Sequence, residues 1–134
     1  MTSTPYAPLP PLGALERQAL EYLWSAGEAD VAQVHTVIGI PREITANTVG
    51  STLERLARKG LVSRRKVSHA YRYAPALDRH TFVLRQLVAS VGGLQALASR
   101  GVLASLLDAV AEVDHAALDT LEQLIARKRE EQQP

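Results

Sequence analysis

The sequence predicts a mainly α-helical protein with a small β-hairpin, built in two parts. Apolar residues recur at helical spacing through most of the chain, a stretch near residues 61–75 alternates instead, and a leucine-rich helical segment follows. The 134 residues, 46% hydrophobic and 22% charged, have an ordinary globular composition. The chain has no cysteine, which excludes disulfides, thiolate metal sites and cysteine nucleophiles and fits a reducing compartment.

The first eleven residues, MTSTPYAPLPP, are predicted to form a flexible proline-rich leader (1–11). They have neither the basic region nor the apolar core of a signal peptide. No stretch of the chain accumulates the roughly 18 apolar residues that a membrane span requires. We therefore expect a cytoplasmic protein without a membrane partner.

Two helices are predicted after this leader. From Leu12, apolar residues step by four, three and one, which indicates an amphipathic helix that ends near Gly27. Asp30 is a suitable N-cap for a short second helix, and Gly39 followed by Pro41 provides its stop.

A third helix is predicted from Thr45, its N-cap, to Gly60, which ends it. Val49, Leu53 and Leu56 recur at i, i+4 and i+7, so this stripe faces the core.

The opposite arc of the third helix is polar and comprises Asn47, Ser51, Glu54 and Arg58, with Thr48 and Arg55 on one flank. Short polar side chains and long cations can enter a DNA groove and bind base edges or phosphates. Glu54 would repel phosphate, so it accepts from a cytosine amino group or, the favoured alternative, pairs with Arg58. Gly50 could admit either DNA or a packing partner.

The spacing changes after the third helix. In LVSRRKV and AYRYA, apolar or aromatic residues alternate with arginine and serine, which predicts two short strands joined near Ser68 and His69 and ended by Pro75. Three short helices followed by a hairpin are the element order of a winged helix-turn-helix, in which the second helix of the turn motif enters the major groove.

Positive charge is concentrated in the same segment. Residues 42–75 hold eight basic and two acidic side chains, a net charge of +6, whereas the remainder carries −5. This separation predicts a face that binds a polyanion, with phosphate as the obvious counterpart. The alternative is that these charges only solvate the surface.

The C-terminal part, residues 76–134, is predicted to contain helices separated at Gly92 and Gly93, with a possible interruption at Gly101 and Asp114 as the last cap. So short a leucine-rich segment cannot enclose a stable core by itself, so a homodimer is predicted, with an unpartnered helical subdomain as the alternative. The predicted dimerisation residues are Phe82, Leu87, Val91, Leu103, Leu106, Leu107, Leu118, Leu121, Leu124 and Ile125.

No catalytic chemistry is predicted. His35, His69, His80 and His115 lie far apart and form no HExxH pattern, so no metal site and no cofactor are expected, and His35 is placed on a helix surface. Ser68 and His69 are adjacent on a hairpin tip and cannot orient a triad. The chain is therefore predicted not to be an enzyme.

Three segments carry a family resemblance: LGALERQALEYLW, then ADVAQVHTVI, then TVGSTLERLARKGLVSRRKVSHAYRYAP. They resemble the penicillinase-repressor family of bacterial winged-helix transcriptional regulators, the BlaI, MecI and CopY type. The match is close over residues 12–75 and continues loosely to the C-terminus.

The resemblance implies a transcriptional repressor that binds a palindromic operator in double-stranded DNA as a homodimer. The third helix (45–59) would lie in the major groove and the wing (61–75) on the backbone, giving a DNA-binding domain (12–75) and a helical dimerisation domain (76–134). The implied base-reading residues are Asn47, Thr48, Ser51 and Arg55. The expected DNA-backbone contacts are Arg42, Thr45, Arg58, Arg65, Lys66, His69 and Arg72, while Tyr71 and Tyr73 are expected to pack on the core.

This chain departs from the family at three points. Members often carry basic residues at the positions of Asn47 and Gly50, which leaves the operator sequence open. The usual release by a sensor protease cuts an Asn-Phe bond, and the single Asn47 and single Phe82 are not adjacent. A protease acting elsewhere or a small-molecule inducer both stay open, while the absence of a cysteine cluster argues against copper sensing. The alternative function is a winged-helix module whose basic face binds an acidic protein.

Overall fold

The computed structural model describes residues 6–133, and these divide into two compact units, one up to Ala89 and one from Ser90. This division lies after Ala89, and the predicted DNA-binding domain (12–75) and dimerisation domain (76–134) stay predictions. Residues 1–5 of the predicted leader lie outside the described residues.

The first unit follows the predicted order of three helices and a hairpin, with one short strand added. Its elements are α1 (Ala14–Ala26), β1 (Ala29–Asp30), α2 (Val31–Val34), a π-helical turn (His35–Gly39), a 3₁₀ turn (Ile40–Arg42), α3 (Ala46–Arg58), β2 (Val62–Val67), β3 (Ala70–Pro75) and α4 (Arg79–Val91).

The predicted end of the first helix and the predicted N-cap of the second are confirmed. The predicted stop at Gly39 and Pro41 is not, because a π-helical turn and a 3₁₀ turn continue from Val34 to Arg42. Gly27 follows α1 with φ of 83°, a backbone conformation that glycine adopts without steric cost. Asp30 and Gln33 form a reciprocal cap at α2, in which the Asp30 side chain accepts from the Gln33 N–H (2.8 Å) and the Gln33 side chain accepts from the Asp30 N–H (2.9 Å).

Helix α3 begins and ends as predicted. The Thr45 hydroxyl accepts from the Thr48 N–H at 3.2 Å, and Gly60 ends the helix with φ of 77°. Val49, Leu53 and Leu56 are buried in the core that α1 and the strands complete. The polar side of α3 therefore faces outward.

The three strands form an antiparallel sheet in the order β1-β3-β2. The sequence analysis missed β1, because two residues show no alternation and their pairing of Ala29 with Tyr73 is a long-range contact. The hairpin turn at Ser68 and His69 is confirmed: Val67 pairs with Ala70, and Ser68 takes φ of 57°.

Phe82 lies in the core of the first unit and not on a dimerisation face, which corrects the prediction. It is 2% exposed and packs edge-to-face on Trp24, with ring centroids 5.1 Å apart. Trp24 in turn donates from Nε1 to the carbonyl of Leu77 at 3.0 Å. These contacts attach the start of α4 to the winged-helix part, which is why the unit extends to Ala89.

The described part of the predicted leader contacts the same unit. Leu9 donates its backbone N–H to the carbonyl of Arg85 (3.2 Å), and Arg85 donates from Nε to the carbonyl of Ala7 (2.9 Å). The leader residues 6–11 are thus joined to α4 by two hydrogen bonds.

The second unit consists of α5 (Leu94–Leu97), α6 (Arg100–Val113) and α7 (Ala116–Glu131), and none of these helices buries a side chain fully. Gly101 lies inside α6 and does not interrupt it; the break comes before Arg100, where the Ser99 hydroxyl caps α6 by accepting from the Val102 N–H. The Asp114 side chain accepts from the Ala116 N–H at 3.0 Å. Within residues 6–133, no helix combines the length and apolarity needed to cross a membrane.

Candidate nucleic-acid interface

The outer face of α3 presents Asn47, Thr48, Ser51 and Arg55, and all four side chains are exposed. Arg55 is positioned by a residue that the sequence analysis did not single out: its Nη2 donates to the Thr52 hydroxyl at 3.1 Å. That hydroxyl donates to the carbonyl of Thr48 at 2.8 Å and is buried. Thr52 lies in the apolar stripe of α3, three residues after Val49. A threonine at such a position is the sequence feature that could have indicated this role.

Glu54 pairs with the wing and not with Arg58, which corrects the favoured alternative. Its Oε1 accepts from Nη1 of Arg64 on β2 at 2.5 Å, and its Oε2 accepts from the Tyr73 hydroxyl on β3 at 2.6 Å. Tyr73 is 3% exposed, so its predicted place in the core is confirmed. Tyr71 was predicted there too, but it is 40% exposed, and the Arg64 guanidinium lies 4.4 Å from its ring centroid.

The Glu54–Tyr73 hydrogen bond shifts the pKa values of both side chains. Burial, together with the hydrogen bond to Glu54, raises the pKa of Tyr73 to about 12. The hydrogen bond from Tyr73, followed by that from Arg64, lowers the pKa of Glu54 despite its partial burial. The pair is therefore a neutral phenol donating to a carboxylate at neutral pH.

A second carboxylate holds the other side of the wing. Glu28, in the turn between α1 and β1, accepts from Nε and Nη2 of Arg65 and from Nε of Arg72, each at 2.8 Å. Hydrogen bonds from Arg65 and then Arg72 lower the pKa of Glu28 to about 2. One carboxylate thus binds two guanidinium groups. Asp30 Oδ2 also lies 4.0 Å from Nη1 of Arg72, so the cluster of two arginines and two carboxylates has no net charge.

A third pair joins α1 to the end of α3. Lys59 donates from Nζ to Glu16 Oε2 at 2.7 Å and to the carbonyl of Pro11 at 2.8 Å. Burial opposes ionisation of Glu16, but the hydrogen bonds from Lys59 and the Gly13 N–H outweigh it and lower the pKa of Glu16.

The basic segment, residues 42–75, therefore has fewer unpaired cations than its net charge of +6 suggests. Within residues 6–133, four of its eight basic side chains pair with carboxylates, and three of those carboxylates, Glu16, Glu28 and Asp30, lie outside the segment. The basic side chains without a carboxylate within 4 Å in that part of the chain are Arg42, Arg55, Arg58 and Lys66. Arg42 instead donates to the side chain of Gln18.

The turn between α2 and α3 leaves no room for a side chain at Gly39. A Cβ there would collide with the ring of His35 and would lie 3.1 Å from both the Ile44 carbonyl oxygen and Val49 Cγ2. The His35 ring donates from Nε2 to that same carbonyl at 2.9 Å, so His35 joins the turn rather than lying free on the helix surface as predicted.

Gly50 faces α2, where a Cβ would meet Val31 at an ordinary 3.8 Å. Of the two roles left open for Gly50, the structure favours a packing contact with α2.

An α2–α3 helix-turn-helix followed by an antiparallel hairpin, with a polar exposed face on α3, defines a winged helix-turn-helix protein.

The family model described as penicillinase repressor matches residues 12–127 of the chain. The transcriptional regulator BlaI of Mycobacterium tuberculosis, in strains CDC 1551 / Oshkosh and ATCC 25618 / H37Rv, is 37% identical over 95 residues, which cover 70% of this chain and 69% of the relative. The solution structure of the DNA binding domain of the repressor BlaI has the same fold, with a TM-score of 0.50, 19% identity, and coverage of 56% of this chain and 92% of that one.

The chain belongs to the penicillinase repressor family. This confirms the family and the fold class predicted from the sequence. The relatives are transcriptional regulators and not enzymes, so the prediction of a non-enzymatic protein is confirmed as well. The DNA-contacting roles of individual side chains stay predictions.

Proposed function

We propose that this protein is a cytoplasmic transcriptional repressor that binds a palindromic operator as a homodimer, with α3 in the major groove and the wing on the phosphate backbone. The observation that carries the proposal is the outer face of α3, which presents Asn47, Thr48, Ser51 and Arg55 while the opposite face is buried. Such a helix can enter a groove without losing its own packing.

The side chains on this face match base edges. Arg55 can bind guanine O6 and N7 with two nitrogens, and Asn47 can bind adenine N6 and N7 in the same way. Thr48 and Ser51 have hydroxyls that donate to or accept from either kind of base. We propose that these four residues supply sequence selectivity.

Sequence-independent affinity would come from the surrounding cations. The proposed backbone contacts without a carboxylate partner are Arg42, Arg58 and Lys66, with Thr45 and His69 as polar contacts. Arg65 and Arg72 can add to these while they stay paired, because each guanidinium has N–H groups that its carboxylate partners leave unused.

We propose that a second copy of the chain covers the leucines of the second unit. Leu103, Leu106 and Leu107 are 43–45% exposed, and Leu124 and Ile125 are 51–54% exposed, so this unit leaves much apolar surface in water. The other candidates are Leu118, Leu121 and, on α4, Leu87 and Val91. A twofold protein would also match a twofold operator.

The proposed repressor must be released from DNA, and the sequence leaves two candidates open for the partner that causes this release. A sensor protease would have to cut a bond other than Asn-Phe, because Asn47 and Phe82 are far apart in the sequence. A small-molecule inducer is the other partner.

Genome-wide mapping of bound sites with base-resolution footprints tests the proposal. We expect a palindrome whose half-sites lie about 10–10.5 bp apart, or a multiple of that distance. We also expect affinity to fall about 10³- to 10⁵-fold between 50 and 200 mM salt if roughly 6 to 10 phosphates are contacted. A protein-interaction module with an acidic partner would show no palindrome and no preference for one DNA sequence, and that result would reject the repressor.

A further inference from the structure

A groove between α3 and the wing has an acidic side chain among three arginines. It is lined by Ser51, Glu54, Arg55, Arg58, Arg64 and Tyr71, with Gly50 and Tyr73. Glu54 is the only acidic residue in that lining, and it lies on the helix proposed to read bases. A carboxylate there repels phosphate, so its presence needs a reason.

Both oxygens of the Glu54 carboxylate accept hydrogen bonds from residues of the wing. Arg64 donates to Oε1 at 2.5 Å, and the Tyr73 hydroxyl donates to Oε2 at 2.6 Å. These two bonds hold the carboxylate on the wing, so its presence on α3 is explained without acceptance from a cytosine amino group, the first alternative for this residue.

The two partners come from both strands of the wing. Arg64 lies on β2, and Tyr73 lies on β3, the middle strand of the sheet, where it is also paired with Ala29 of β1. Glu54 thus links α3 directly to both strands of the wing.

We propose that Glu54 is a positioning residue that fixes the wing against the recognition helix, so that base reading by α3 and backbone contact by the wing occur in one register. This inference rests on the proposed function. A specific complex needs both contacts at once, whereas random DNA tolerates a wing that is out of register, because its backbone offers equivalent phosphates in every register.

Glu54 has a second effect on the same surface, because it neutralises Arg64. Without that carboxylate, Arg64 would stand with Arg55 and Arg58 in one groove as three unpaired guanidinium groups. A freed Arg64 can take a phosphate, which strengthens binding to every sequence alike and increases the salt dependence.

The test measures binding of the wild type and variants to the mapped operator and to a random duplex of equal length, over a series of salt concentrations. Glu54→Gln keeps an amide oxygen for Tyr73 but loses the charge that holds Arg64. We expect its preference for operator over random DNA to fall about tenfold, the effect of losing one charged hydrogen bond. The slope of log affinity against log salt should steepen by about 0.9, the value for one added phosphate contact.

Two further variants separate the effects. Adding Arg64→Ala to Glu54→Gln should restore the wild-type salt slope without restoring the preference for the operator. Tyr73→Phe should lower that preference while leaving the slope unchanged, because Arg64 stays paired. Glu43→Gln is the matched control: it removes an exposed carboxylate that forms no side-chain bond within residues 6–133, and it should leave the preference unchanged.

Glu54→Gln with the preference and the slope of the wild type would overturn the inference. A wild type that binds operator and random DNA equally would overturn the proposed function itself, and the inference with it.

Discussion

Arg65 binds the carboxylate of Glu28 through two nitrogens, Nε and Nη2, each at 2.8 Å. Arg72 adds a third hydrogen bond to the same carboxylate, so the turn after α1 is attached to both strands of the wing. Planar, two-nitrogen contacts of this kind are the strong form of an arginine–carboxylate pair. The wing is consequently held by a group whose charge depends on pH.

Protonation of Glu28 should release this attachment in acid. Its pKa lies at about 2 in the folded protein, against an ordinary 4.5, so the stability it contributes is complete above pH 4.5 and is lost as pH falls towards 2. We expect Glu28→Gln to unfold with a weaker pH dependence in that window, measured by circular dichroism. Glu122→Gln on α7 is the control, and equal pH profiles for Glu28→Gln and the wild type would contradict the prediction.

Arg55→Ala should reduce operator affinity by about 1 to 3 kcal/mol and relax selectivity at one base pair, because a two-nitrogen contact with guanine is lost. Lys66→Ala is the matched variant, since it removes a cation from the wing and should weaken all sequences alike. Competition binding over a library of operator variants measures both effects. Equal losses on operator and random DNA for Arg55→Ala would remove Arg55 from the base-reading set.

Leu121→Asp should give monomers with greatly weakened operator binding, because a charge would be placed in the proposed dimer face. Analytical ultracentrifugation measures the mass in solution. Gln123→Asp, an exposed position on the same helix, should keep the dimer. A Leu121→Asp protein that stayed dimeric would place the interface elsewhere.

The two glycines of the helix-turn-helix should respond in opposite directions to alanine. Gly39→Ala should lower the free energy of unfolding by about 1 to 3 kcal/mol, because the added methyl overlaps the His35 ring and crowds Ile44 and Val49. Gly50→Ala should raise it by up to roughly 1 kcal/mol, because the methyl fits beside Val31 and alanine favours the helix. Urea denaturation of both variants checks the signs, and destabilisation by Gly50→Ala would show that the contact with α2 is tighter than the structure has it.

Local features of the fold were readable from the sequence. Thr45 and Asp30 were predicted as caps because a cap bonds an N–H only two or three residues away. The apolar stripe of α3 and the alternation of the hairpin follow from the 3.6-residue and two-residue periods of the backbone itself. These same periods were enough to predict which side of α3 faces outward.

The sequence by itself therefore determined the order of the three helices and the hairpin, the family and the exposed face of α3. Tertiary structure decided the partner of each charge and the place of each aromatic ring: Glu28 on Arg65, Glu54 on the wing, Phe82 in the core and Tyr71 exposed. The reason is that these contacts join residues far apart in the chain, 37 positions in the case of Arg65 and Glu28. A local periodicity cannot predict a contact between residues so far apart in the sequence, because only the packing of the folded chain brings the two groups together.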